Sequence, residues 1–163
     1  MPSRKTAPPP DLSEPAMRVL RRFRLVFNTV KTHFQQVEKK AGIGGAQLWA
    51  LSLIEARPGL GTSELARAMD VHQSTASNLV RALVAQGFVQ ADKAGTDRRA
   101  VQLTLRPQGR SVLRKAPGPL TGVLPQALAA LDAQTLERLD ADLAQLIAVL
   151  DGDERAANIP LGQ

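Results

Sequence analysis

The stretch VHQSTASNLVRALVAQGFV, Val71 to Val89, reads as a helix leading into a strand, and the helix has an unusual outer face. That face carries Gln73, Ser74, Ser77, Asn78 and Arg81, and no Asp or Glu occurs between Asp70 and Asp92. Short polar side chains are mediocre helix formers, because they compete for the backbone's own hydrogen bonds. They do supply the donors and acceptors that match base edges in a DNA major groove, where carboxylates would face phosphates. Beyond the strand, DKAGTDRR holds Lys93, Asp97, Arg98 and Arg99 in a Gly-containing turn. The three basic groups suit a phosphate backbone or a minor groove, and Asp97 suits the orientation of a neighbouring guanidinium.

Other chemistry finds less support. No nucleophile paired with a base, no phosphate-binding loop and no metal-ligand cluster stands out, so neither an enzyme nor a cofactor is expected. The chain has no cysteine, which removes disulfides, thiolate metal sites and thiol sensing. Its two histidines, His33 and His72, lie far apart, whereas a metal site needs several ligands together. Phe27, His33 and Trp49 are candidates to line an organic-ligand pocket between the first two helices. Each also has a plainer use: Phe27 and Trp49 as core, His33 as a helix surface residue.

The elements that position these groups follow from periodicity. Ser13-Glu14-Pro15 opens a long first helix that runs to about Lys40 and stops at Gly42. Its apolar residues Leu20, Phe23, Phe27, Val30, Phe34 and Val37 make a single seam. A helix of that length exceeds one face of a small domain, so part of the seam is expected to meet another chain. Ala46 to Ala56 is a second helix, ended by Arg57-Pro58-Gly59. SELARAMD is a short third helix, capped by Thr62 or Ser63, with Glu64 near its positive end. The fourth runs from Gln73 to Gln86, with Ala76, Leu79, Val80, Leu83 and Val84 inward and Gly87 closing it. Period two then takes over, in strands over Phe88 to Ala91 and Ala100 to Leu105. Pro107 opens a helix to Lys115, a short helix is expected over Gln126 to Leu131, and a last one over Asp132 to Leu150.

Charge is unevenly spread along the 163 residues. The segments 1–40, 41–118 and 119–163 carry net charges of +6, +5 and −5, so an acidic end conceals a basic body. A basic body suggests a polyanionic partner. No apolar run approaches a membrane span, and the Pro-rich start, with Arg4 and Lys5 followed by TAPPPDLSEP, has no apolar core for a signal peptide. A cytoplasmic location without membrane contact is the expectation.

Short helix, tight turn, polar-faced helix and basic-tipped ribbon form the layout of a winged helix-turn-helix. The segment TSELARAMDVHQSTASNLVRALVAQGFVQADKAGTDRRAVQLTL resembles the DNA-binding core of the MarR family of bacterial transcription regulators. The ELA of the third helix, the STAS opening of the fourth, LVRALVAQGFV and DRRAVQLTL carry the resemblance. It extends to the long first helix, to RPQGRSVL and to the leucine-rich last helix.

The resemblance implies a mainly α fold with a small β-hairpin wing, plus N- and C-terminal dimerisation helices. It implies a homodimer on double-stranded DNA at a pseudo-palindromic operator, acting as a repressor and released by a small aromatic effector. The readers would be Gln73, Ser74, Thr75, Ser77, Asn78 and Arg81; the wing residues would be Asp97, Arg98 and Arg99, with Lys93 nearby. Residues 13–150 would form one domain. Within it 44–116 would be the DNA-binding lobe, and 13–42 with 117–150 the dimerisation lobe. Residues 1–12 would be a disordered tail and 151–163 a second tail. Arg18, Arg21, Arg22 and Arg24 could then pair with the acidic last helix. Two positions depart from the family pattern: His72 stands where Ser or Asp commonly caps the recognition helix, and Arg106 where Thr commonly precedes Pro107. The alternative is a winged-helix protein-interaction module without sequence-specific DNA binding.

Overall fold

A computed structural model describes residues 12–95, 101–150 and 152–161. Helix α1 spans Glu14–Ala41. Glu14 and Pro15 occupy its first turn, while Ser13 forms no side-chain cap. Gly42, at φ 74°, closes it by donating its N–H to Glu38 O at 2.9 Å, a left-handed end that suits glycine. The apolar seam is divided. Val37 is buried and Val30 and Phe34 are half-buried, but Phe27 is 67% exposed and Leu25 and Val26 are exposed too. Leu20 and Phe23, nearer the N-terminus, are half-buried, so the open stretch of the seam is centred on Phe27.

Helix α2, Gly45–Ala56, is the centre of the fold. Ala46, Leu48, Ala50, Leu51 and Ile54 are all buried. Around it pack α3 (Thr62–Met69), α4 (Gln73–Ala85), the hairpin and α5 (Pro107–Lys115). Complete burial of Leu51 or Leu83 contributes about 1.5–3 kcal/mol each. The cap of α3 differs from the sequence expectation. It is Gly61, not Thr62 or Ser63, because the Glu64 carboxylate reaches back and accepts the Gly61 N–H at 2.8 Å.

Strands β1 (Val89–Lys93) and β2 (Val101–Leu105) pair antiparallel, with Val89 opposite Leu105 and Lys93 opposite Val101. The base of this hairpin is fastened twice. Gly59 N–H donates to Leu103 O at 2.8 Å and Leu103 N–H donates to Leu60 O at 3.0 Å, tying the α2–α3 loop to β2. Arg106 N–H donates to Phe88 O at 2.9 Å, and Gly109 of α5 sits directly beneath that same carbonyl.

Helix α6 covers Val123–Ala129, three residues earlier than expected, since Pro125 fits a first helical turn. Helix α7, Ala133–Leu150, is capped by Asp132, whose carboxylate accepts the Thr135 N–H at 2.9 Å and hydroxyl at 2.8 Å. These bonds hold the Asp132 carboxyl below the usual carboxylate range. No residue of α7 is buried. The segment after it, expected only as a tail, carries a short 3-10 helix over Glu154–Asn158. No helix among the described residues is long and apolar enough to cross a membrane.

Candidate nucleic-acid interface

The α3–α4 turn begins at Asp70, which adopts a left-handed φ of 52°, and reaches α4 through Val71 and His72. His72 occupies the N-cap position of α4 without a side-chain cap bond. Ala76, Leu79, Val80 and Leu83 bury one side of the helix against the core, which fixes its rotation. Val84, expected inside, is exposed, because it lies at the edge of the buried stripe near the helix end.

The opposite side presents the polar residues. Gln73, Ser74, Asn78 and Arg81 are exposed, while Thr75 and Ser77 are half-buried. Two of these side chains bind within the helix. Ser77 Oγ donates to Gln73 O at 2.8 Å, and Arg81 Nη1 donates to Asn78 Oδ1 at 2.9 Å. The guanidinium is thereby drawn along the helix surface, with its other N–H groups left for a further acceptor.

Gln73 and Ser77 open onto a groove of about 480 Å³ that also runs past Thr62, Ser63, Ala94 and Gln102. The groove joins the outer face of α4 to the start of α3 and to the hairpin. Thr62, Ser63 and Gln102 were not singled out by sequence reasoning. Gln102 could have been, as an outward residue on an alternating strand; Thr62 and Ser63 read equally well as helix caps. Lys93 lies exposed at the end of β1. Asp97, Arg98 and Arg99 fall outside the described residues.

The three pocket candidates are not brought together. Trp49 lines a cavity of about 360 Å³ with Val30, Phe34 and Val71. Phe27 stacks on Phe23, with ring centroids 6.2 Å apart, on the open part of α1. His33 is not a surface residue: it is 7% exposed and lines a separate hollow with Thr29, Gln36 and Gly118. Gly118, in the connection between α5 and α6, borders that hollow. Among the described residues no three His, Asp or Glu are grouped to hold a metal ion.

Comparisons agree with this architecture. Residues 41–100 match the model of the MarR family. No curated protein matches the chain. Among solved structures, the MarR family transcriptional regulator Sco3205 from Streptomyces coelicolor, in complex with DNA, is similar at 23% identity and a TM-score of 0.57. That similarity covers 91% of this chain and 96% of Sco3205. A MepR-like protein complexed with pseudoligands has a TM-score of 0.58 at 17% identity, over 85% of this chain and 97% of its own. Streptococcus pneumoniae FabT in complex with DNA has a TM-score of 0.53 at 17% identity, over 83% and 96% respectively. These likenesses are of fold, a winged helix-turn-helix, and the family matched is one of transcription regulators rather than enzymes. Residues 41–100 are thus a MarR-family region, set in a chain with the fold of a solved MarR-family regulator.

Proposed function

We propose that this protein is a DNA-binding transcription regulator that acts as a homodimer, represses its target promoter and is released by a small organic effector. The observation that carries the reading is the acid-free outer face of α4, Gln73 to Arg81, two of whose residues, Gln73 and Ser77, line one groove with the hairpin. A face of amide, hydroxyl and guanidinium groups suits base edges, and a basic ribbon beside it suits the phosphate backbone. Similar folds have been solved with DNA in Sco3205 and FabT. The readers are Gln73, Ser74, Thr75, Ser77, Asn78 and Arg81, with Lys93, Asp97, Arg98 and Arg99 from the wing.

The homodimer reading is supported by what the chain leaves open. Leu25, Val26 and Phe27 on α1 are exposed, as are Ile147, Val149 and Leu150 on α7. Val149 is 85% exposed. Apolar helix faces of this kind mark association surfaces. Residues 13–42 with 117–150 serve as the dimerisation lobe and 44–116 as the DNA-binding lobe. Arg21, Arg22 and Arg24 are exposed on α1 and available to Glu137, Asp140 and Asp142 of a second copy's α7, whereas Arg18 already pairs with Glu14 at 3.0 Å.

The test is a titration of the purified dimer against its own upstream intergenic DNA and against random fragments, at two salt concentrations. Site-selective binding with a steep salt dependence supports the reading. A dimer that binds no DNA even at low salt would overturn it in favour of a protein-interaction module. A promoter-reporter measurement fixes the sign of regulation.

A further inference from the structure

The cavity beside Trp49 is closed on one side by the segment that follows α7. Ala157, Ile159, Pro160 and Leu161 form that side, facing Val30 and Phe34 of α1, Trp49 of α2 and Val71 of the α3–α4 turn. This strap is weakly held. Among the described residues its hydrogen bonds are local: Gly152 N–H to Ile147 O at 3.4 Å, Ala156 N–H to Asp153 O at 2.9 Å and Ile159 N–H to Ala156 O at 3.1 Å. Among the described residues Arg155 bonds only Asp153, at 3.0 Å. Ile159 and Leu161 line the cavity yet remain 54% and 56% exposed, so at most about half of each is covered there. A segment attached by partial apolar contact alone can be displaced by a molecule that covers the same surface better.

The wall chemistry narrows what that molecule is. The described wall is apolar apart from Thr121 and Asp70, and it contains no Lys, Arg or His. An anionic ligand would find no counter-charge there and would lose its hydration. The cavity is at the small end of ligand pockets, which run about 300–1,000 Å³. We infer that the cavity takes an apolar molecule without an anionic group, and that the strap Ala157–Leu161 is a resident competitor which this molecule must displace. Displacement would act on Met69, Asp70 and Val71, which lead directly into α4. The inference rests on the proposed effector reading only for that consequence, and the cavity and strap are tested without DNA.

Trp49 is the sole tryptophan and lines the cavity, so its emission reports on occupancy. The probes are N-phenyl-1-naphthylamine, which is uncharged, and 1-anilinonaphthalene-8-sulfonate, which is nearly the same molecule with a sulfonate. Each is titrated into the full chain, into a chain ending at Gly152, and into the double variant Ile159→Ser, Leu161→Ser. Circular dichroism verifies that the variants fold. The uncharged probe is expected to quench Trp49 emission in all three. Its affinity should rise roughly ten- to a hundredfold in both variants, the factor for half of each of two aliphatic side chains leaving the site. The sulfonate should quench weakly, despite the net positive charge of the chain. Equal affinity for the uncharged probe in folded variants and full chain would overturn the strap. Equal quenching by the two probes would overturn the charge selectivity, and no quenching by either would overturn the cavity as a site. Loss of DNA binding in a separate titration bears on the regulator reading alone.

Discussion

Arg81 Nη1 lies 2.9 Å from Asn78 Oδ1, one helical turn apart on the exposed face of α4. The amide oxygen of Asn78 is thus already engaged, and the guanidinium of Arg81 is held in one direction. In a reader this is pre-organisation, since the rotamer entropy of Arg81 is partly spent before DNA arrives. Arg81→Ala should cost about 1–3 kcal/mol on the specific site and much less on random DNA. Asn78→Ala should lose part of the same interaction. A double-mutant cycle on the operator should show a coupling of at least about 0.5 kcal/mol. Strict additivity would mean that the two side chains act separately.

Ser77 offers a trade between stability and binding. Its hydroxyl is bonded back to Gln73 O, an arrangement that slightly weakens a helix. Ser77→Ala should raise the thermal midpoint by the equivalent of a few tenths of a kcal/mol, because alanine is the better helix former. The same change should reduce operator affinity. A variant that loses stability instead would show that the Ser77 hydroxyl supports the fold.

Gly109 and Gly45 should respond differently to alanine. A Cβ at Gly109 would run into the Phe88 carbonyl, a backbone atom that also accepts the Arg106 N–H and cannot move alone. A Cβ at Gly45 would meet the Phe34 ring, which borders the cavity and can turn into it. Gly109→Ala should therefore destabilise by about 1–3 kcal/mol, after any gain in helix propensity. Gly45→Ala should cost distinctly less. Urea denaturation of both variants checks the order.

Asp132 gives a pH dependence to the start of α7. Its folded carboxyl ionises below the ordinary Asp value, chiefly through the Thr135 backbone N–H and then the Thr135 hydroxyl. The carboxylate's contribution is therefore complete above the unfolded value of about 3.9 and is lost as pH falls through the lower folded value. Asp132→Ala should lower the thermal midpoint at pH 7. The difference from the parent chain should shrink as the pH is taken below about 4. A difference that persists at low pH would mean the hydroxyl and amide of Thr135 do not depend on ionised Asp132.

Much of this was legible in the sequence, and the exceptions share a cause. Helices α1, α2, α4 and α5 and both strands lie within a few residues of where periodicity, Gly42, Gly87 and Pro107 put them. Those signals are local, and local signals survive in a single sequence. What failed needed the third dimension. The cap of α3 depended on where Glu64 could reach. Phe27 and His33 exchanged their expected environments because burial on α1 depends on which neighbours extend far enough to cover it. The polar face of α4 could be read because its chemistry departs from what a merely soluble helix needs. The groove it shares with Thr62, Ser63 and Gln102 could not, since it is made where three separated segments meet.

The bonds between Gly59, Leu60 and Leu103 clamp the hairpin near its base. Leu103 is wholly buried, whereas Gln90 to Lys93 on the facing strand are exposed. Amide hydrogen exchange should therefore be graded along the ribbon, slowest at Leu103 and Gly59 and fastest toward Lys93. Like a diving board, the described ribbon is anchored at one end: Gln90 to Lys93 can adjust to an uneven surface while Leu103 stays fixed to the α2–α3 loop.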